Sequence, residues 1–371
     1  MILYFGLATI LFLIAVCCST KEMKTNTGVI GFGKIAIFSF LLITIILGGI
    51  RWKAGTDWEN YYNFFIYNGT WKEFNSGIFE ISYSFLNFLI KKYFDSYTVL
   101  LLIISFIVIF LRYRTIKLLA LFPIMSYYLF FCDNIGGIFP VRQTIAISIA
   151  VTSIYFIHKK NMLAFILVTI LAASFHLSLL IWFISYPLYH RKISSSNIII
   201  LFITATVIGM IGSNLIIWIV EKSLINGNIS GSIASRIKIY ILGKYSDSSL
   251  SMLRMIFSFI KRMVFVALFI ILRPKLIQRY SYANGLINIY LFSNVIFSLF
   301  AFNEAFAPMA RMVTPFLFIE VLLLPVIISL YKDAHIKYII FLLLYIYGLV
   351  KLNSAISAYP ELYTPYRSIL D

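Results

Sequence analysis

The chain has 371 residues, 61% of them hydrophobic and only 12% charged, with a formal net charge of +17. Together with a mean hydropathy of +0.94, that composition excludes an ordinary soluble domain and predicts an integral membrane protein. Apolar runs of roughly 17 to 25 residues recur along the chain without alternating with polar residues, which excludes a β-barrel and predicts an all-α, polytopic transmembrane bundle.

The first run, 2–18, has no basic residue ahead of it and no A-x-A cleavage pattern, so it is expected to be a retained span and not a signal peptide. Lys21 and Lys24 behind it place its amino end outside. A second span is predicted at 29–50. The polar, aromatic segment 51–96 comes next, and the part near 78–94 is expected to be an interfacial or re-entrant helix, with Lys91 and Lys92 reaching lipid phosphates. Further spans are predicted near 97–112, 115–131, 143–157, 161–175, 177–189, 197–220, 253–272, 285–303, 312–330 and 338–352, about twelve in all.

The basic clusters at 112–117, 158–160, 190–192, 273–279 and 332–337 fall on every second connection, as cytoplasmic loops do. The positive charge therefore reads as an orientation signal and a contact with membrane lipids, not as a nucleic-acid surface. The remaining connections, including 51–96 and 221–252, hold nearly all the acidic residues and are expected to be extracytoplasmic. No repeat or linker divides the chain, so 1–371 reads as a single transmembrane domain.

An ionisable side chain at membrane depth costs several kcal/mol unless it is paired or hydrated, which makes each one a functional candidate. Arg51 and Asp57 flank Gly55, whose turn would bring guanidinium and carboxylate to one opening. They either hold a phosphate and accept a proton, or form a headgroup anchor within a belt of Trp52, Trp58, Tyr61 and Tyr62. Arg142 and Gln143 open a span, where helix-end amides and a guanidinium suit an anion; the alternative is a capping arginine facing lipid. His176 lies where the long apolar run 161–189 must bend, and serves there as a phosphate donor or acid–base group, or as an ordinary hydrogen-bonded histidine. Glu304, Arg311, Arg236 and Tyr240 are further candidate contacts to phosphate or sugar, or else solvated loop residues. Lys261 and Arg262 interrupt a span outright, which requires either a wet cavity beside that helix or a displaced boundary.

There is no Walker, HExxH or GxSxG motif and no Cys/His cluster, and Cys17, Cys18 and Cys132 lack CxxC spacing. No cofactor, metal or disulfide framework is expected. An outer face with several arginines, a histidine, carboxylates and many aromatic rings suits phosphate and the apolar faces of sugars.

The order R-x-x-x-G-x-D-x-x-x-Y (Arg51, Gly55, Asp57, Tyr61), FEISYSFLN with Glu80, VRQTIAISIAV and LAASFHLSLL resembles the EpsG family of bacterial exopolysaccharide and O-antigen polymerases of the Wzy type. The match thins beyond about residue 190, to a basic loop near Arg236 and Tyr240, Arg311, and a closing Y-x-x-P-Y with Tyr363, Pro365 and Tyr366. The resemblance implies a metal-independent glycosyltransferase at the outer face of the bacterial inner membrane. Its donor and acceptor would be undecaprenyl-diphosphate-linked glycans, with a chain-length regulator protein as a possible partner. It implies Arg51, Arg142 and Arg311 around the diphosphate, His176 as a further contact or proton-transfer group, and Asp57 or Glu80 as acceptor-side base. The rival classes are a lipid-linked oligosaccharide flippase, an O-antigen ligase using the same donor, and a structural subunit of an envelope complex. Against a transporter stand the absence of related halves and the gathering of charges at one end of the helices.

Overall fold

The structure, a computed structural model, describes residues 1–19, 27–55, 57–139, 141–225, 248–302 and 311–371. Among them the chain is helical, and the sole strand-like pairing is an isolated antiparallel bridge between Arg51 and Ser368. Among the described residues, five helices are long and apolar enough to cross a membrane: Gly33–Ile50, Tyr97–Leu119, Ser195–Gly212, Ala283–Phe300 and Ala334–Ser357. The other expected spans correspond to segments that are shorter, broken by 3-10 turns or less apolar. Two compact units can be distinguished, one of Met1–Tyr186 with Val321–Asp371, the other of Pro187–Glu320.

In the first unit, helices α1 (Ile2–Ser19), α2 (Thr27–Ile50), α3 (Trp58–Tyr67), α4 (Trp71–Phe74), α5 (Ile81–Phe94), α6 (Tyr97–Leu119), α7 (Pro123–Asn134), α8 (Arg142–His158) and α9 (Met162–Phe175) follow in order, and Ala334–Ser357 returns to pack on α1 and α7. α2 lies close along α6 because Gly48 and Gly49 meet Ser105 and Leu102; a β-carbon at either glycine would collide with them. Small residues at such crossings let backbones approach where lipid gives no hydrophobic drive to associate. α8 fills the centre, with Ile145 to Val151 all buried between α6 and α9.

Two boundaries differ from expectation. The predicted break near 112–115 does not occur: α6 runs on to Leu119, and Arg112 is buried inside the bundle at 3% exposure. Its Nε donates to Ser148 Oγ at 3.0 Å and its guanidinium lies 5.4 Å from the centre of the Phe130 ring. The break comes instead before Pro123, which opens α7 where its missing N–H costs nothing. The run 312–330 is likewise not one regular helix, since Thr314–Leu323 passes into a 3-10 helix at Leu324–Leu330 that contains Pro325.

The bend expected at His176 is present. α9 ends there in extended backbone (φ −159°, ψ 113°), and the 3-10 helix Leu177–Ile184 folds back with buried Trp182 donating from Nε1 to Ser153 Oγ at 2.9 Å. The segment expected at 78–94 forms α5, which at 14 residues is about 21 Å long and too short to cross the hydrocarbon. Its Ser82 Oγ meets Ser174 Oγ of α9 at 2.6 Å.

In the second unit, helices α10 (Ser195–Ile225) and α11 (Ser248–Arg279) pack on α12 (Ala283–Phe300). Lys261 and Arg262 stand inside α11: Lys261 is exposed, whereas Arg262 is buried, donating to Asn294 Oδ1 at 3.2 Å and lying 3.8 Å from the centre of the Phe297 ring. A neighbouring helix thus supplies what bulk water would otherwise have to.

Candidate functional site

Arg51 is the first residue past α2, and the carboxyl end of the chain holds it there. Ile369 N–H donates to Ile50 O at 2.8 Å, Trp52 N–H to Arg367 O at 3.0 Å and Gly55 N–H to Leu362 O at 2.9 Å. These bonds leave Arg51 3% exposed, with its guanidinium 5.8 Å from the centre of the Phe139 ring. Around it stand the hydroxyls of Tyr83, Tyr97, Tyr363 and Tyr366; burial pulls the guanidinium below its ordinary pKa, and those hydroxyls oppose the shift. Gly55 has φ +93°, and a β-carbon there would stand 3.2 Å from Arg51 Nη1. The turn expected at Gly55 therefore forms, but its two charges diverge. Arg51 goes inward, Asp57 is exposed, and among the described residues the two make no ion pair.

A second cluster assembles from four separate segments. Arg142 opens α8, and its Nη1 pairs with Glu80 Oε2. Its guanidinium covers the Phe79 ring at 4.1 Å and approaches Tyr61 at 5.8 Å to the ring centre. Glu80 immediately precedes α5, and its other oxygen accepts the Leu177 N–H at 3.4 Å, which ties the Arg142 pair to the His176 bend. His176 Nδ1 lies 2.7 Å from Ser178 Oγ and accepts the Ser178 N–H at 3.4 Å. The opposite ring nitrogen, Nε2, makes no hydrogen bond among the described residues.

The electrostatics of this cluster are mutual. Burial pulls Arg142 down, but hydrogen bonding with Tyr61 and the charge of Glu80 outweigh it and hold the guanidinium above its ordinary range. Burial pulls the His176 imidazole below its ordinary pKa, Glu80 opposes the shift and Arg142 adds to it, so the neutral form is favoured. Burial also raises the Tyr61 hydroxyl against the pull of Arg142. Tyr83, fully buried, has its hydroxyl raised well above the usual tyrosine value by burial, and both Arg51 and Arg142 act on it. One tyrosine thus links the two arginine centres.

Beside Arg51 a cavity of about 820 Å³ opens, with Gly55 and Leu362 in its wall. Trp52, Trp58 and Tyr62 form its aromatic side: Trp58 and Tyr62 stack 4.8 Å apart at 12°, and Trp52 meets Trp58 edge-on at 5.0 Å. Asp57, Glu59, Asn60, Asn63 and Lys53 supply polar groups to the same space. Rings with carboxylates and amides are the usual equipment for an amphipathic, hydroxyl-rich ligand.

Of the residues singled out in the sequence, Arg142 and Glu80 pair directly, Glu80 also accepts the Leu177 N–H beside His176, Arg51 interacts electrostatically with Tyr83, and Asp57 lines the cavity. Gln143 is half-buried on the first turn of α8. Arg311 begins the 3-10 turn Arg311–Val313 in the second unit. Arg236, Tyr240 and Glu304 lie outside the described residues. Sequence reasoning placed Tyr61 in an aromatic belt and in the motif that begins at Arg51, and quoted Phe79 and Tyr83 within FEISYSFLN, but gave none of the three a role. The signal available for them was position alone, Phe79 and Tyr83 flanking Glu80 in FEISY, and Tyr61 one helical turn after Asp57.

No curated protein and no solved structure matches the chain. The EpsG profile matches residues 34–368, a stretch that takes in both arginine centres, the cavity and the returning carboxyl end. Over that length the chain is a member of the EpsG family.

Proposed function

We propose that the protein polymerises undecaprenyl-diphosphate-linked oligosaccharide repeat units, for O-antigen, capsule or exopolysaccharide, at the outer face of the bacterial inner membrane. Membership of the EpsG family, with its polysaccharide-polymerase character, supports the class. The observation that carries the reaction is that buried Arg51 and the Arg142–Glu80 pair both interact electrostatically with Tyr83, with an aromatic cavity edged by Asp57 opening beside Arg51.

In this reading the donor's diphosphate lies against Arg51 and Arg142, which stabilise the negative charge that develops as the bond from the sugar's anomeric carbon to phosphate breaks. Fixed guanidinium charge serves where many glycosyltransferases use a divalent cation. The acceptor sugar occupies the cavity against Trp52 and Tyr62, and its hydroxyl attacks the anomeric carbon. Asp57 takes the hydroxyl's proton, and the electron pair of the broken bond leaves with the lipid diphosphate. Glu80 is engaged by Arg142 and the Leu177 amide, and so orients the arginine. Neutral His176 offers Nε2 to a diphosphate oxygen as donor, or to a proton in transit. Arg311, Gln143, Arg236, Tyr240 and Glu304 remain candidates for further glycan or phosphate contacts. In the same reading the bundle crosses the membrane about twelve times, α5 lies along the outer interface, and a chain-length regulator docks from outside.

The test is complementation of a deletion strain with Arg142→Ala or His176→Ala, at matched expression, followed by gel analysis of surface glycan. Loss of the polymer ladder with single repeat units still displayed is the expected result. Full-length polymer would remove these residues from the site, and loss of all surface glycan with lipid-linked units trapped inside would indicate a flippase.

A further inference from the structure

A second cavity, of about 430 Å³, lies entirely within the second unit and is lined by Lys192, Ser194, Ser195, Arg273 and Asn284, with Ile193. None of its lining residues carries a negative charge. Arg273 is held rigidly: Nη2 donates to Asn284 Oδ1 at 2.8 Å and to Asn288 Oδ1 at 2.7 Å, while Asn288 Nδ2 donates to the carbonyls of Leu188 at 3.1 Å and Arg191 at 2.7 Å. Arg273 is 8% exposed, and its other terminal nitrogen, Nη1, is buried with no hydrogen-bond partner among the described residues. A guanidinium keeps its charge at any relevant pH, so the bonds from Nη2 to Asn284 and Asn288 fix a positive charge in the wall of this cavity.

The same cavity meets the start of α10, a helix of 31 residues. Ser194 caps it: its Oγ accepts the Asn197 N–H at 3.2 Å and its carbonyl the Ile198 N–H at 3.3 Å. The amides of Ser195 and Ser196 are left directed past the helix end, where the helix dipole is positive. Two side-chain hydroxyls, two cations and a helix start form a donor set suited to phosphate oxygens. His190, Arg191 and Lys192 make up one of the basic clusters that mark cytoplasmic connections, so the cavity sits where a span meets the cytoplasm.

We propose that this cavity is a binding site for a phosphate group, distinct from the glycan-transfer chemistry, with Arg273, Lys192 and the first turn of α10 as its ligands. The phosphate belongs either to a lipid of the cytoplasmic leaflet or to a soluble phosphate ester.

The test uses delipidated full-length protein. Native mass spectrometry measures retention of phosphatidic acid against diacylglycerol, which has the same acyl chains and no phosphate, and equilibrium dialysis measures labelled inorganic phosphate. One phosphatidic acid is expected to be retained and no diacylglycerol, with retention reduced severalfold in Lys192→Gln. Ser195→Asp places a carboxylate at the helix start, where the dipole favours it. It is therefore expected to keep its melting temperature and to lose binding at least tenfold, which separates loss of the site from misfolding. Binding of inorganic phosphate with the same dependence on both residues, and displacement of the lipid by it, identifies a soluble ester; binding of the lipid alone identifies a headgroup. Equal retention by wild type and both variants, or no binding of either probe, overturns the proposal.

Discussion

Replacing Gly55 with alanine separates the strain of a turn from the seating of Arg51. Gly55 has φ +93°, a conformation that costs an L-residue about 1–2 kcal/mol. The new β-carbon would stand 3.2 Å from Arg51 Nη1, 3.3 Å from Phe139 Cδ1 and 3.5 Å from Phe139 Cβ. Arg51 is buried against the same phenyl ring, so either the guanidinium or the half-buried ring over it must shift by a few tenths of an ångström, and either movement disturbs the seating of Arg51. Misplacement by about 1 Å at a reacting centre costs on the order of a hundredfold in rate, so a shift of this size predicts roughly a tenfold loss. Gly77 supplies the control, because its φ is +81° and a β-carbon there meets nothing within 4 Å. Both Gly55→Ala and Gly77→Ala should lower the melting temperature of the purified protein by about 2 °C, from the strain divided by the unfolding entropy of a chain this size. Only Gly55→Ala should shorten surface glycan. Unchanged glycan length in Gly55→Ala, or equal shortening in both variants, refutes the placement of Arg51 at the reacting diphosphate.

Asp57 and Glu80 should behave differently although both are acidic, since Asp57 is exposed and Glu80 is held by Arg142. With Asp57 as the proposed acceptor-side base, Asp57→Asn is expected to abolish the ladder without changing stability, whereas Glu80→Gln keeps some polymer but loses about 1–2 kcal/mol, because a charged hydrogen bond to half-buried Arg142 is weakened. Glycan gels and thermal melts on both variants decide this. For His176 the folded-state pKa lies below 6.5, so the unfolded chain binds the extra proton more readily; stability should fall as pH drops through 6.5 towards the folded value and be unaffected above it. Melts across that window, repeated on His176→Gln, should show the dependence vanish with the imidazole. Arg112→Met should be neutral or stabilising within about 1 kcal/mol, because it removes a buried charge and two groups beside it keep bonds of their own: Ser148 Oγ still donates to Thr144 O and Asp133 still pairs with Lys351 at 2.9 Å. A melting temperature several degrees lower would show that Arg112 does more than neutralise its surroundings.

Arg142 and His176 were legible in the sequence because each stands where an apolar run begins or bends, and a polar group at such a position demands a partner; Glu80 was legible only through the family resemblance. That the Arg142–Glu80 pair meets the His176 bend follows from α5 packing across α9, a contact between segments about ninety residues apart that hydropathy does not encode. The aromatic residues completing the cluster were harder to read. Tyr83 is identical in kind to two dozen other tyrosines, and only its burial within the electrostatic reach of Arg51 and Arg142 distinguishes it. The misplaced break in α6 has the opposite origin. The basic cluster at 112–117 looks like a cytoplasmic loop by charge, but Arg112 faces Ser148 and Phe130 inside the bundle while Arg114 and Lys117 of the same turns stay exposed. Charge count cannot show which face of a helix a residue occupies; Pro123 marks the boundary better because its ring restrains the backbone whatever surrounds it.

The carboxyl end shows how a segment outside the chemistry can set it. Leu362, Arg367 and Ile369 bond backbone to backbone with Gly55, Trp52 and Ile50, Tyr366 donates to the Leu47 carbonyl, and the Tyr363 carbonyl accepts from Tyr4. The last dozen residues are thus stitched to the turn that carries Arg51 from three sides. Those bonds serve two purposes at once. They satisfy amides just past the end of α2, which would otherwise be buried without partners, and they hold the guanidinium under Phe139 while Asp57, six residues on, is turned outward to the cavity. An arginine on a free loop at a helix mouth would fold towards the nearest lipid phosphate, as an anchor does. Clamping the loop to the last dozen residues directs it into the protein instead, beside the aromatic cavity that Gly55 and Leu362 help to line.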